Sequence, residues 1–138
     1  MISIAIVDSG PLVAVALARD PDHDACLALL KRPGVMLAVP ALCVAEAAYL
    51  IGKVGGARAE AAFIRGLAEL RVLSPEPEDW ARIGDLVDEY SDLSLGATDA
   101  SVVTLAERLG TDLVYTLDRR HFGVVRPAHI PALTLLPQ

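Results

Sequence analysis

Four carboxylates stand in stretches that are otherwise apolar. Asp8 interrupts IAIVDSGPLVAVALA, Glu46 is the only charge in VPALCVAEAAYLI, Asp99 opens DASVVTLAERL, and Asp118 follows LVYTL. An ionised carboxylate taken out of water without partners is costly enough that it would normally take up a proton instead. Three of the acids have a structural explanation when taken singly. Asp8 suits a helix cap, Asp99 the positive end of a helix, and Asp118 a turn with Arg119. Glu46 resists one. Its neighbours at three and four residues are Leu42, Cys43, Tyr49 and Leu50, so on a helix it shares a face that should pack inward.

If the four acids meet, each pair about 4 Å apart repels by roughly 4 kcal/mol at an effective dielectric of about 20. No helix cap compares with that. Lys and Arg are absent beside Asp8, Glu46 and Asp99, which leaves a hard divalent cation as the expected neutraliser. Oxygen-only ligation suits Mg2+ or Mn2+, and the scarcity of suitably spaced His and Cys argues against zinc. The chemistry within reach is hydrolysis by a metal-activated water.

Such a cluster needs elements that carry distant residues to one place. ISIAIVD, VMLAVP, RVLS, DLVYTLD and LTLLP read as strands. LVAVALARD, DHDACLALLKR, ALCVAEAAYLIGKVGG, ARAEAAFIRGLAEL, EPEDWARIGDLVDEYSD and TDASVVTLAERLG read as helices, the third stopped by paired glycines. This alternation predicts an α/β fold, a three-layer α/β/α sandwich on a mainly parallel central sheet, with residues 1–138 as a single domain. Each acid falls just beyond a strand or on a helix with an apolar inner face. Right-handed crossovers can bring such points to the carboxyl edge of the sheet, where ligands gather.

Bulk properties narrow the setting. The chain has 138 residues, 54% of them hydrophobic, and a net charge of −6 from twelve basic and eighteen acidic side chains. That balance opposes nucleic-acid binding by the whole surface but not by a local site, since exposed charges are screened beyond roughly 8–10 Å. The apolar run GVMLAVPALCVAEAAYLIG is interrupted by Pro40 and Glu46, and a mid-membrane carboxylate costs about 2.5–3.5 kcal/mol. No membrane segment and no signal peptide are expected, and the expected location is cytoplasmic. Cys26 and Cys43 read as small core residues. Trp80 shares a helical stripe with Ile83, Leu86 and Val87 and reads as core or as a dimer interface. Phe63, Ile64 and Leu67 form another stripe, for packing or for an amphipathic partner segment. The acids from Glu76 to Asp92 read as a solvated helix face or a seat for a basic partner.

IVDSGPLVAV, VPALCVAEAAYLI, LGATDASVVTLAERLG and VYTLDRRHF resemble, in order and spacing, the motifs of PIN-domain ribonucleases, and most of all those of the VapC toxins of bacterial toxin–antitoxin modules. The likeness runs from Ile4 to Phe122 and into the last strand. It implies the α/β/α fold, a Mg2+- or Mn2+-dependent endoribonuclease acting on RNA, a small cognate antitoxin as partner, and a homodimer. It also implies a 3′-hydroxyl leaving group and a 5′-phosphate product. Carried over motif by motif, the catalytic acids are Asp8, Glu46, Asp99 and Asp118. Asp8 and Asp99 are the expected direct metal ligands, with Glu46 and Asp118 binding directly or through water. Ser9 is expected to orient a carboxylate or touch phosphate.

One departure stands out. Many relatives carry a further acid where this chain has Gly96, which bears on how tightly a second metal would be held; Asp92 matches an acid common in these toxins. Arg119 and Arg120 either grip the RNA backbone or form a solvated turn in which Arg119 pairs with an acid. His121 reads as a packing or turn residue rather than a general base. Rival enzymes fit less well: a haloacid dehalogenase-type phosphotransferase wants an Asp where Gly10 stands, a response receiver wants an acid pair and a late lysine, and DSGPLVAV lacks a dinucleotide fingerprint. The alternative from another class is a catalytically silent PIN-like module that binds RNA or protein.

Overall fold

The computed structural model describes residues 2–138. Five strands, β1 (Ser3–Val7), β2 (Val35–Pro40), β3 (Arg71–Leu73), β4 (Leu113–Tyr115) and β5 (Thr134–Leu136), form one sheet in the order β3-β2-β1-β4-β5. All of its pairings are parallel, with Ile6 beside Ala38 on one side and beside Val114 on the other. Ile6, Val7, Val39 and Val114 are fully buried. Strands covered on both faces gain from apolar residues at every position, which is why these segments read as continuous runs rather than alternating ones.

The cover comes from α1 (Ser9–Ala16), α2 (His23–Leu30), α3 (Ala41–Gly66), α4 (Pro77–Glu89), α5 (Ala97–Leu109) and the short α6 (Arg119–Phe122). From β1 to β3 the chain steps one way across the sheet, and from β3 to β5 it steps back. Right-handed crossovers therefore put α1–α3 on one face and α4–α5 on the other. In agreement, α1 packs on α2 and α3, while α5 packs on α4 and across β1, β2 and β4. The core between the layers holds Ile6, Ile51, Leu86, Tyr115 and Phe122.

The expected stop at the paired glycines is a break within α3: Gly56 has φ 85° and ψ 176°, a backbone state that only glycine adopts cheaply. Just before it, a Cβ on Gly55 would lie 2.9 Å from Leu17 Cδ2, so the small residue also permits close approach to the end of α1. Two expectations about α4 need correction. Ile83 and Leu86 are buried, but Trp80 is 53% exposed and is not a core residue. Its stripe is wider than the strip of α4 that meets α5. The acids of this helix are also not all solvated. Asp79 is buried, accepts from the Glu76 amide at 2.8 Å and pairs with Arg108 at 3.1 Å, because it caps the helix start against α5. Among the described residues no helix is long and apolar enough to cross a membrane.

Candidate active site

The strand order reverses between β1 and β4, so connections leave this point in opposite directions and open a crevice beyond the strand ends. Asp8 follows β1 and Asp118 follows β4 by three residues. The first half of α3, entered directly from β2, brings Glu46. The first turn of α5 brings Asp99, whose Oδ2 accepts from the Gly96 amide at 3.3 Å. All four acids line one pocket of about 350 Å³, together with Ser9, Asp20 and the apolar Val13, Leu50 and Leu117. The sheet has thus collected residues more than a hundred positions apart in sequence.

Asp8 is only 4% exposed. Its Oδ1 accepts from the Ser9 amide at 2.8 Å and lies 3.7 Å from the Cys43 thiol; its Oδ2 accepts from the Thr116 hydroxyl at 2.8 Å. These are neutral donors. Burial pushes its carboxyl up to about 6, against the pull of the Thr116 and Ser9 hydrogen bonds, with the charges of Asp99 and Glu46 adding to the rise. Burial likewise raises Asp99, and Asp118 and Glu46 raise it further. Cys43 is a buried, free thiol as expected, but it also touches the site, and burial followed by the fields of Asp8 and Glu46 pushes it far from ionisation. Ser9 orients the other early acid: its hydroxyl donates to Glu46 Oε1 at 2.9 Å.

Asp118 has a different environment. The His121 amide donates to its Oδ1 at 3.0 Å and His121 Nδ1 meets its Oδ2 at 2.5 Å. Burial alone would raise the carboxyl, but the bonds from His121 outweigh it and hold Asp118 below the usual range. His121 in turn is raised by that contact, against its own burial. Its Nε2 faces the Leu93 carbonyl at 2.9 Å. A carbonyl and a carboxylate only accept, so both contacts are satisfied together when the ring donates from both nitrogens, the charged form that the Asp118 contact favours. His121 was expected to be a turn or packing residue; it sits in the short helix α6 and its ring braces the site. Asp99, Asp118 and His121 each offer one donor atom within 4.8 Å of the others, close enough for a metal ion.

The neighbouring cations do other work. Arg119 lends its guanidinium to the last strand, donating from Nη2 to the carbonyls of Leu135 at 3.0 Å and Pro137 at 2.7 Å. It neither faces the pocket nor pairs with an acid, because α6 turns it toward β5. Arg82 is taken by Glu107, and Arg108 by Glu76 and Asp79. Arg120 is exposed on α6. Among the described residues no Lys or Arg forms an ion pair with Asp8, Glu46, Asp99 or Asp118. Asp92 is exposed, and a Cβ on Gly96 would lie 4.0 Å from Asp99 Oδ2 in otherwise open space. Three site residues escaped the sequence reading. Thr116 carried a signal, a hydroxyl two positions before Asp118 at a strand end; Asp20 lies in a bend and His121 in the single turn of α6, with no distinguishing pattern.

The PIN domain family profile matches residues 5–126, spanning all of these positions. The chain belongs to the PIN domain family. A curated relative, Ribonuclease VapC26 of Mycobacterium tuberculosis, is 38% identical over 137 residues, covering 96% of this chain and 99% of its own length. Among solved structures, M. tuberculosis VapC20, described as a Sarcin-Ricin loop cleaving toxin, superposes with a TM-score of 0.75 at 18% identity, over 83% of this chain and 90% of its own. VapBC2 of Rickettsia felis, bound to a DNA fragment from its promoter, gives 0.69 at 16% identity, over 97% and 99%. The VapC26 relative places the chain in the VapC group of PIN domains, and the solved structures share its α/β/α fold.

This PIN domain has a donor set that fits a hard cation. Five carboxylates line one pocket, the four expected acids and Asp20; Asp8 is buried among neutral donors, and among the described residues the single basic partner of the four is the His121 ring. Oxygen donors of this kind suit Mg2+ or Mn2+ rather than zinc. On the α1–α3 face lies a second hollow of about 400 Å³, walled by Leu12, Leu27, Leu30, Phe63, Leu67 and Leu70. Phe63 and Leu67 of the expected stripe line it, while Ile64 lies outside, 46% exposed.

Proposed function

We propose that this PIN domain is a Mg2+- or Mn2+-dependent endoribonuclease acting in the cytoplasm as the toxin of a toxin–antitoxin pair. One observation carries the chemistry: Asp8 is buried at the sheet's switch point and shares a pocket with Glu46, Asp99 and Asp118, with no Lys or Arg among the described residues paired to the group. Asp8 and Asp99 would hold the cation by their oxygens, with Glu46 and Asp118 completing the cage directly or through water. When bound, a divalent cation supplies a water acidic enough to attack at neutral pH and positive charge against the scissile phosphate.

The chain's own residues prepare that chemistry. The Ser9 amide and Thr116 hydroxyl favour the charged form of Asp8 and fix its direction. The Ser9 hydroxyl holds Glu46. Val13, Leu50 and Leu117 give the pocket apolar walls that limit bulk water. Arg120, exposed beside Asp118, is the cation available to a backbone phosphate of RNA. The apolar hollow between α1, α2 and the second half of α3 would seat an amphipathic segment of a small cognate antitoxin. The active form would be a homodimer, with the exposed Trp80 a candidate contact.

Cleavage of a panel of structured RNAs tests the reading. The parent should cut only with Mg2+ or Mn2+ and stop with a chelator, and an equally folded Asp99→Asn should lose at least about 100-fold, more than loss of an outer partner usually costs. A parent that binds RNA and never cuts it with either ion would instead be a silent binding module. Equal rates for parent and Asp99→Asn would remove Asp99 from the chemistry.

A further inference from the structure

His121 has each of its polar side-chain atoms engaged by the frame of the pocket. Its amide and its ring Nδ1 take the two oxygens of Asp118, at 3.0 and 2.5 Å, so one residue holds both ends of the carboxylate. Its Nε2 reaches the Leu93 carbonyl at 2.9 Å, in the turn Ser91–Leu93 that leads toward α5 and Asp99. The ring is therefore a strut between the segment after β4, which delivers Asp118, and the turn before α5, which delivers Asp99. It is not among the residues lining the pocket, and neither ring nitrogen is open to a substrate. Acting on RNA directly would require breaking one of its bonds; holding Asp118 requires no change at all.

Small displacements matter here. The donor atoms of Asp99 and Asp118 lie within 4.8 Å of each other, whereas an ion touching both at about 2.1 Å spans at most about 4.2 Å. A shift of about 1 Å is therefore enough to open a pair that one ion can bridge into one that it cannot, and outer partners commonly set such spacings. We propose that His121 is a positioning residue that fixes the Asp118 carboxylate relative to Asp99 and so sets the oxygen spacing offered to a divalent cation. The proposal rests on the metal-dependent reading above.

Three variants of the full chain, titrated calorimetrically with Mn2+ and assayed for cleavage and Tm, separate the possibilities. The amide of His121→Asn occupies the place of Nδ1 and can still bond Asp118. That of His121→Gln reaches the place of Nε2 and can bond only Leu93, while His121→Leu bonds neither. The Gln and Leu variants should bind Mn2+ about 10–100-fold more weakly than the parent, with cleavage falling alongside, and the Asn variant should stay within about threefold. Because the Asn and Gln variants each keep one strut bond, similar Tm values with unlike Mn2+ affinities separate positioning from a general loss of fold. Parent-like Mn2+ affinity in all three variants would overturn the proposal. So would rescue by Gln but not Asn, which would assign the role to the Leu93 strap, or equal loss in all three, which would make the ring itself a ligand. Failure of the parent to bind Mn2+ would sink the metal-dependent reading first, and this proposal with it.

Discussion

Two neighbouring strands end in aspartates that live in opposite worlds. Asp8, after β1, is buried, bonded only to neutral groups, and pushed up to about 6 by desolvation. Asp118, after β4, is partly exposed, gripped at both oxygens by His121, and held below its ordinary range. The same side chain, a few ångströms of sheet apart, is frustrated at one site and compensated at the other. The lesson is where a cation is needed. Adding positive charge beside Asp118 duplicates what His121 supplies, whereas beside Asp8 it relieves a carboxylate whose partners among the described residues are all neutral.

The comparison breaks most plainly at Asp8. Asp8→Asn should lower cleavage by more than about 100-fold, a larger loss than an outer-shell residue causes. The same change should raise the Tm of the metal-free protein at pH 8 by several degrees, since it removes a buried charge; a scan in chelator checks this. A variant that loses activity and stability together would mean that Asp8 is simply structural.

The next effect is on pH. An acid held near 6 when folded but near its ordinary 3.8 when unfolded contributes stability that is complete below about 4 and lost as pH rises through about 6. The full difference is on the order of 3 kcal/mol. Urea unfolding of the metal-free parent, with Asp8→Asn as the reference, should show that loss between pH 4 and 7. Asp118 has the opposite sign: its contribution is present above its unfolded value and disappears in acid. A flat difference between parent and Asp8→Asn across this window would contradict the contrast between the two strand ends.

Smaller effects sharpen the picture on the β4 side. Asp118→Asn should lower cleavage about 10–100-fold and, unlike Asp8→Asn, should slightly reduce metal-free stability, by no more than about 1 kcal/mol for a pair this accessible. Thermal scans of both variants in one buffer give the two signs directly. The two arginines that follow should then separate. Arg119→Ala should cost about 1 kcal/mol by freeing β5 and leave RNA affinity alone. Arg120→Ala should leave stability alone and reduce the salt dependence of RNA binding by about one ion. Salt titrations of binding by a cleavage-deficient parent and by each arginine variant decide between them.

Much of this was legible in the sequence, and the parts that were not have a common cause. β2 ends where Pro40 ends it, and α5 closes at Gly110 in a left-handed conformation, because proline and glycine act locally. The sheet followed from short apolar runs, and right-handed crossovers on a parallel sheet made a meeting of the four acids at one edge expected, whereas the strand order that places it between β1 and β4 was not legible. What a linear reading misses is partnership between turns. Arg119 and His121 are three residues or fewer from Asp118, yet one bonds carbonyls sixteen and eighteen positions on and the other a carbonyl twenty-eight positions back. Trp80 shows the converse: helical spacing marked it as one of a stripe, but only the width of the α4–α5 contact decides which members of the stripe are buried.

The central claim is that the buried Asp8, more than the compensated Asp118, calls a cation into the pocket. Calorimetric titration with Mn2+ near pH 5.5, run in two buffers of different protonation enthalpy, tests it most directly. The account predicts that the parent binds with release of a proton, because Asp8 is largely protonated below about 6 and must ionise to coordinate. It also predicts that Asp118→Asn binds with the same release at reduced affinity and that Asp8→Asn does not bind. Equal Mn2+ affinity in the parent and Asp8→Asn, with no proton released by either, would contradict it.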